Sequence, residues 1–213
     1  MNAAQLNEAL RDTTVRAIAL DGDHRMLDGL DLDAVRADPK PIVGTGGTTF
    51  VHMELWRVCG LVGYHGDGVI RPGWLRLTGQ TRVPGRAEGV LLGGSLGALR
   101  AMVGAGLPSL DGAILLLTGE RTQGLGQVDR QLTHLIRAGA LNGVRGVAVG
   151  HFAGFDGLVD REWSLDDVLT DHLNTLDVPV VGNLPIGPGR PPVPIGVPAV
   201  LNATDAVLSV GQT

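Results

Sequence analysis

A chain of 213 residues with 44% hydrophobic side chains is long enough to bury a full core in one or two domains. Its net charge of −5 and the lack of any run of Lys or Arg argue against nucleic acid as a partner. Cys59 is the only cysteine, which excludes an internal disulfide and a cysteine-rich metal site. With no apolar stretch of membrane-spanning length and no signal-peptide core, we expect a cytoplasmic protein without a membrane partner, and we expect no metal or cofactor.

The first 75 residues alternate between helix and strand, as a parallel α/β layer does. The pattern predicts helices over 3–11, 30–37 and 48–59, with strands over 14–20, 42–43 and 61–64. Few strands are available, and a parallel sheet needs cover on both faces. We therefore predict a shortened N-terminal domain over 1–75 and a homodimer, in which a second copy compensates for the missing cover.

The stretch from 67 to 85 is rich in Gly, Pro and Arg, and we interpret its part over 76–85 as a linker. Beyond it, the pattern predicts strands over 89–92, 113–117, 144–149 and 178–181, helices over 95–103, 128–137 and 164–174, a Pro/Gly loop over 183–198, and two short strands within 199–210. The sequence from Ser164 to Asp167 is typical of a capping box. A second, smaller α/β domain is thus predicted over 86–213.

The most informative stretch is a strand, a sharp turn and a helix within residues 39–52. The apolar pair Ile42-Val43 is followed by Gly44-Thr45-Gly46-Gly47, after which Thr48 or Thr49 is expected to cap a helix. Such turns often hold chemistry in α/β proteins, because the helix start offers unpaired N–H groups. Serine hydrolases hold their nucleophile at this kind of turn. Here glycine occupies the place of a nucleophile.

This stretch resembles the LD-carboxypeptidase family of serine peptidases, which includes the microcin-immunity peptidases. The family pattern D-P-K-x-x-x-G-Y-S-D-x-T-x-L-H is matched by Asp38-Pro39-Lys40, Gly44, Thr49 and His52. Further motifs follow in the family's order: His65-Gly66 for its H-G-P, Gly93-Gly94-Ser95-Leu96 for its G-G-N-L, residues 110–117 for the strand before its catalytic Glu, and residues 184–190 for the loop that carries its catalytic His. The resemblance covers nearly the whole chain and implies an α/β fold, with a cut-down, parallel, flavodoxin-like N-terminal layer and a smaller C-terminal α/β domain.

The departures from the family pattern concern its reacting groups. Gly46 stands at the nucleophile, Thr118 at the Glu and Pro188 at the His, although Glu120 could take the place of the Glu. The family's R-G-G-Y-G oxyanion loop is replaced by a shorter segment over 17–24. Because a catalytic triad acts as a unit, the resemblance implies that the peptidase reaction has been lost.

With the triad lost, the leading hypothesis is a non-hydrolytic enzyme of isomerase, lyase or cyclase type. It would act on a small molecule in the inherited cleft, in specialised-metabolite biosynthesis. His24 or His65 would transfer protons, with Asp67 or Glu120 as a partner. The substrate-binding residues are expected to be Thr45, Gly46, Gly47, Ser95, Thr118 and Arg190. His151 ends a predicted strand and is expected to reach a pocket.

Two alternatives stay open. One is a non-catalytic binding protein. The other is a residual hydrolase that uses Ser95, since Gly93 to Gly97 reads G-x-S-x-G between a strand and a helix. The resemblance favours a different role for Ser95, in which it replaces the Asn of G-G-N-L and caps that helix. An enzyme should gather His24, His65, Asp67 or Glu120 around one apolar pocket, whereas a binding protein need not.

Overall fold

The computed structural model describes residues 1–211. Its helices are α1 (Ala3–Arg11), α2 (Leu32–Ala37), α3 (Thr48–Cys59), α4 (Leu96–Met102), α5 (Leu125–Arg137) and α6 (Leu165–Leu173). Its strands are β1 (Ile18–Ala19), β2 (Ile42–Gly44), β3 (Gly63–His65), β4 (Leu75–Thr78), β5 (Gln80–Val83), β6 (Arg86–Ser95), β7 (Ile114–Glu120), β8 (Gly146–Ala153), β9 (Val159–Asp160), β10 (Trp163–Ser164), β11 (Val180–Gly182), β12 (Val193–Ile195), β13 (Pro198–Asn202) and β14 (Val207–Val210). None of the helices within residues 1–211 is long and apolar enough to cross a membrane.

The N-terminal residues form a small sheet in the order β1-β2-β3-β12. The first three strands are parallel, as predicted, and β12 pairs antiparallel with β3. One face of this sheet is covered by α1, α2 and α3, whose apolar side chains pack on those of β1 and β2. Strand β12 lies inside the predicted Pro/Gly loop over 183–198, so part of that prediction is wrong and a C-terminal segment completes the N-terminal sheet.

The large sheet has the strand order β4-β14-β13-β6-β7-β8-β11-β5. Its centre, β6-β7-β8-β11, is parallel, and the outer strands are antiparallel. The predicted linker over 76–85 is instead largely strand, because β4 and β5 occupy its length at the two ends of the sheet. Only Gly79 separates β4 from β5 in the chain, so the sheet must curl until its two edges meet.

Alternate side chains of the curled sheet form two separate cores. Leu92, Leu115 and Leu117 pack outward against α4, α5 and α6, whereas Leu91 and Ile114 pack inward. Period-two alternation of this kind follows from the geometry of the strand, since successive side chains point to opposite faces. The sequence predicts these central strands and their helices closely, because each is a strong apolar run or an amphipathic repeat.

Helix α3 connects the two sheets. Its predicted cap is wrong: the helix begins after Gly47, with no capping side chain. The Thr48 hydroxyl donates instead to the Leu20 carbonyl oxygen at 2.7 Å, and the Thr49 hydroxyl oxygen accepts from the Ser95 N–H at 3.0 Å. Both hydroxyl groups therefore tie the start of α3 to neighbouring strands, which positions the turn before it.

Candidate functional site

The turn between β2 and α3 forms the floor of a site between the two sheets. Gly46 has a φ of +54°, which lies in the left-handed region that strains side-chain-bearing residues. A Cβ atom placed on Gly46 would lie 3.5 Å from Oε1 of Glu120. The turn therefore has the sharp geometry of a nucleophile elbow, with Glu120 opposite the position a nucleophile would occupy.

A cavity of about 300 Å³ lies above this turn. Its wall includes the predicted binding residues Gly46, Gly47 and Ser95 together with Glu120. Residues of α3, α4 and α5, the ends of β7 and β8, and the loops after those two strands supply the remaining wall. The carboxyl ends of parallel strands commonly carry ligands in such sheets, and four of the ten residues predicted for the site meet here.

His65 lies outside this cavity and is fully buried. Its Nε2 is 2.9 Å from the Thr118 hydroxyl, while its Nδ1 has no hydrogen-bond partner among the described residues. Burial, together with the nearby His52 ring, lowers the pKa of His65 to about 3. His65 is therefore neutral and closed off from solvent, an environment that does not suit the predicted role in proton transfer. Its partner Thr118, predicted to bind substrate, does not line the cavity either.

Asp67 is also separate from the predicted histidine partners. Its carboxylate accepts a hydrogen bond from the Gly189 N–H at 2.6 Å, and its own N–H donates to the Arg190 carbonyl oxygen at 2.7 Å. These bonds fix the loop after β11, in which the resemblance places the family's catalytic His at Pro188. The structure thus gives Asp67 a role in loop geometry, and it does not pair Asp67 with His65.

His24 borders the cavity from outside. It starts a short 3-10 turn in which the Asp23 carboxylate accepts a hydrogen bond from the Arg25 N–H. Its ring packs edge-on against Phe50, with centroids 5.7 Å apart. Phe50 lines the cavity, and His24 is exposed. The backbone of Gly22 lies against Gly47. The shortened segment over 17–24 therefore lies beside the turn. This is the position expected for a segment that replaces the family's oxyanion loop.

A second cavity, of about 490 Å³, contains Arg190 and His151. The His151 Nδ1 is 3.3 Å from the Pro188 carbonyl oxygen, and its Nε2 is 3.5 Å from a carboxylate oxygen of Asp156. The predicted reach of His151 into a pocket is confirmed. Arg190, predicted as a substrate-binding residue, lines this second cavity and not the one at Gly46.

Ser95 faces the first cavity without a catalytic partner. Within residues 1–211 its hydroxyl makes no hydrogen bond, and it does not cap α4, which corrects the predicted capping role. Thr45 is half-buried in the turn and does not line the cavity. Sequence reasoning missed Phe152 and Phe155, which line both cavities. The only sequence feature that could have pointed to them is the rarity of aromatic residues, which form 3% of the chain.

Comparison with known proteins identifies the same architecture. The sequence model of the LD-carboxypeptidase N-terminal domain matches residues 1–66, and that of the C-terminal domain matches residues 88–201. A Streptomyces coelicolor protein, provisionally named a carboxypeptidase, is 35% identical over 243 residues, covering 99% of this chain and 76% of the relative. A Bacillus subtilis protein, provisionally named a murein peptide carboxypeptidase, is 28% identical over 242 residues, covering 98% and 76%.

Solved structures agree with the fold. The muramoyltetrapeptide carboxypeptidase of Oxalobacter formigenes superposes with a TM-score of 0.84 at 22% identity, covering 99% of this chain and 82% of that chain. The microcin C7 self-immunity protein MccF, in complex with aspartyl sulfamoyl adenosine, gives a TM-score of 0.83 at 18% identity, covering 99% and 80%. The α/β fold predicted from the sequence is confirmed.

Proposed function

Because this chain belongs to the LD-carboxypeptidase family, we propose that it binds a small molecule in the first cavity, above Gly46, and does not cleave peptides through an acyl-enzyme. Gly46 carries the proposal. It occupies the elbow turn, where the resemblance places the nucleophilic Ser, and it offers no side chain. A hydroxyl nucleophile cannot be replaced by backbone in an acyl-transfer reaction.

The lack of a positioned base supports the same proposal. Pro188 stands where the resemblance places the catalytic His, and Thr118 where it places the Glu. The nearest buried histidine, His65, is bonded to Thr118 away from the cavity, and His151 lines the second cavity. Removing members of a triad leaves only residual catalysis, so the absence of two or more leaves no efficient route to hydrolysis.

A muramoyl tetrapeptide assay tests this proposal. We expect no turnover by the wild-type chain, and none by Gly46→Ser, which restores a hydroxyl without the base and the oxyanion loop. A serine-directed fluorophosphonate probe should label neither protein. Efficient turnover by the wild type would overturn the proposal, and labelling that disappears in Ser95→Ala would instead support a hydrolase that uses Ser95.

A proton-transfer enzyme is the second candidate, and the position of His24 favours it. Glu120 lines the cavity and His24 contacts its wall through Phe50, so an acid and a base border the same space. Such a pair could isomerise, eliminate or cyclise a bound small molecule, as in specialised-metabolite biosynthesis. If NMR shows conversion of a bound ligand, His24→Ala and Glu120→Gln should each slow it by about 10²–10⁴-fold. A ligand recovered unchanged after prolonged incubation favours the binding protein.

We also propose a homodimer. The face of the small sheet opposite its helices carries Ala19 and Val43 along an open groove, and Val69 beside that groove is 81% exposed. Covering such a face with a second copy would bury apolar surface that otherwise contacts water. Sedimentation at micromolar concentration should show a mass of twice 22.2 kDa, and a Val69→Asp variant should shift it toward one chain. A single species of 22.2 kDa for the wild type would contradict the proposal.

A further inference from the structure

All the phenylalanines of this chain meet at one cavity. The sequence contains 3 Phe residues, and each of them, Phe50, Phe152 and Phe155, lines the cavity above Gly46. Phe152 and Phe155 are 4% and 3% exposed, and their ring centroids lie 6.4 Å apart in an edge-to-face arrangement. Phe152 is held in place because its ring packs directly on Gly119, where a side chain would collide with it.

The same cavity carries an uncompensated negative charge. Among its lining residues, all within the described part of the chain, Glu120 is the only one with a formal charge. Glu120 forms no ion pair within residues 1–211, and it is exposed on the side of Gly46, where no side chain fills the space. The other polar groups of the wall are neutral hydroxyls and amides, contributed by Ser95, Thr122, Gln127 and Gln131.

We propose that the ligand of this cavity is a small organic ammonium ion, held by Glu120 and surrounded by the three phenylalanines. The inference rests on the proposed small-molecule function and names the class of ligand. Cations are attracted to aromatic faces, and quaternary ammonium groups are typically bound by aromatic residues arranged around them. A carboxylate beside the rings adds a direct ion pair with the bound cation.

The charge of the cavity also excludes the opposite class of ligand. A carboxylate or phosphate would lie near Glu120 with no cation to offset the repulsion, and a neutral ligand would partly desolvate that carboxylate without pairing it. The second cavity differs in this respect, since Arg190 lines it together with the carboxylates of Asp156 and Asp166. An anionic group is therefore not expected to bind above Gly46.

Calorimetric titration of the full chain with matched ligands tests the inference. Choline and n-butylammonium represent quaternary and primary ammonium ions, 3,3-dimethylbutan-1-ol is the uncharged analogue of choline, and 3,3-dimethylbutanoate is an anion of similar shape. We expect at least one ammonium ion to bind about 10-fold or more tightly than the alcohol, with no binding of the anion at this cavity. A preference for choline would indicate a methylated ammonium, and a preference for butylammonium a primary amine.

Variants of the cavity residues test where the ligand binds. Glu120→Gln should lower the affinity for the preferred ammonium ion by about 10-fold, and Phe155→Leu should lower it while leaving Glu120 in place. The matched control is Glu8→Gln, which changes the net charge equally on the exposed face of α1 and should have no effect. Thermal unfolding of each variant shows whether it is folded.

The outcomes separate this inference from the proposed function. If the alcohol binds as tightly as the ammonium ions and Phe155→Leu weakens it, the cavity binds small molecules and the ammonium inference is wrong. Binding of the anion in preference, an unchanged affinity in Glu120→Gln, or no binding of any of the four also overturns the inference. Failure of the proposed function would instead appear as turnover in the peptide assay, which none of these titrations measures.

Discussion

On one side of the junction between the two sheets, His65 and Thr118 share a hydrogen bond that is closed off from solvent, whereas on the other side Gly46 and Glu120 face an open cavity. Each pair joins a family motif of the small sheet, after β2 or at the end of β3, to a residue near the end of β7. The buried pair is fully packed and neutral, and the cavity pair is loosely packed and charged. Motif residues can therefore be kept for packing at the junction itself, while ligand chemistry depends on the residues that border the cavity.

The buried side should make the protein sensitive to acid, and this is the largest effect we expect. Burial lowers the pKa of His52 to about 4 and that of His65 to about 3, from 6.5 in the unfolded chain. Below pH 6.5 the unfolded chain therefore binds protons that the folded chain cannot, so stability is full above that pH and falls as the pH drops toward the folded values. The loss should reach roughly 4 kcal/mol at pH 5.

Urea unfolding between pH 7.5 and pH 5 measures this dependence. His65→Gln should remove about half of it, since one of the two buried rings is gone. His134→Gln alters an exposed histidine and should leave it unchanged. A stability that stays flat over this range would mean that the buried rings already accept protons in the folded state.

The packing between the two sheets should be the next most sensitive feature. Gly94 has a φ of +146°, and a Cβ placed on it would lie 2.6 Å from the Thr49 hydroxyl oxygen and 3.2 Å from Cε1 of His65. Gly94→Ala combines backbone strain with a collision inside the junction and should cost about 3 kcal/mol. Gly104→Ala is the matched control, because its φ is +75° with nothing within 4 Å of the added carbon. Chemical denaturation should show the control losing only the cost of the left-handed backbone, about 1–2 kcal/mol.

The sequence predicts some elements of this fold much better than others. The strand and helix over 42–59 and the central strands β6 to β8 follow from apolar runs and helical periodicity, which are local signals. The sequence predicts a linker over 76–85, because the Gly, Pro and Arg residues of this segment mask the weak alternation of its two strands. Their pairing partners, β11 and β14, lie more than 95 residues away in the chain. Local composition cannot reveal pairings at that distance.

The candidate site shows the same limit. The resemblance brings Gly46 and Glu120 to one region, because both are anchored to motifs at the ends of parallel strands. It cannot tell that His65 turns toward Thr118, since the choice between cavity and core depends on side-chain packing around Gly94. Nor does any spacing rule link Phe50 to Phe152, which become neighbours only when the two sheets meet.

Removing the Thr118 hydroxyl should have a moderate effect on stability. Thr118→Val keeps the shape of the side chain but leaves both nitrogens of the buried His65 ring without a partner. An unsatisfied buried group of this kind costs about 1–3 kcal/mol, and we expect a loss in the lower half of that range. Thr78→Val, on the exposed face of β4, should change the free energy of unfolding by less than about 0.5 kcal/mol. An equal effect of the two substitutions would show that the hydrogen bond adds no stability.

Glu120→Gln is expected to have the smallest effect on stability and the largest effect on ligand binding. Glu120 is exposed and forms no ion pair within residues 1–211, so Glu120→Gln should change the free energy of unfolding by less than about 0.5 kcal/mol. The same substitution should abolish most of the preference for ammonium ligands, because Glu120 is the only charged side chain that residues 1–211 contribute to the cavity wall. Measured together, unfolding and calorimetry test the comparison itself: Thr118→Val should destabilise the fold and leave choline binding intact, and Glu120→Gln should do the reverse. If Glu120→Gln destabilised the protein as much as Thr118→Val, the carboxylate would be part of the junction, and the division between a structural side and a binding side would fail.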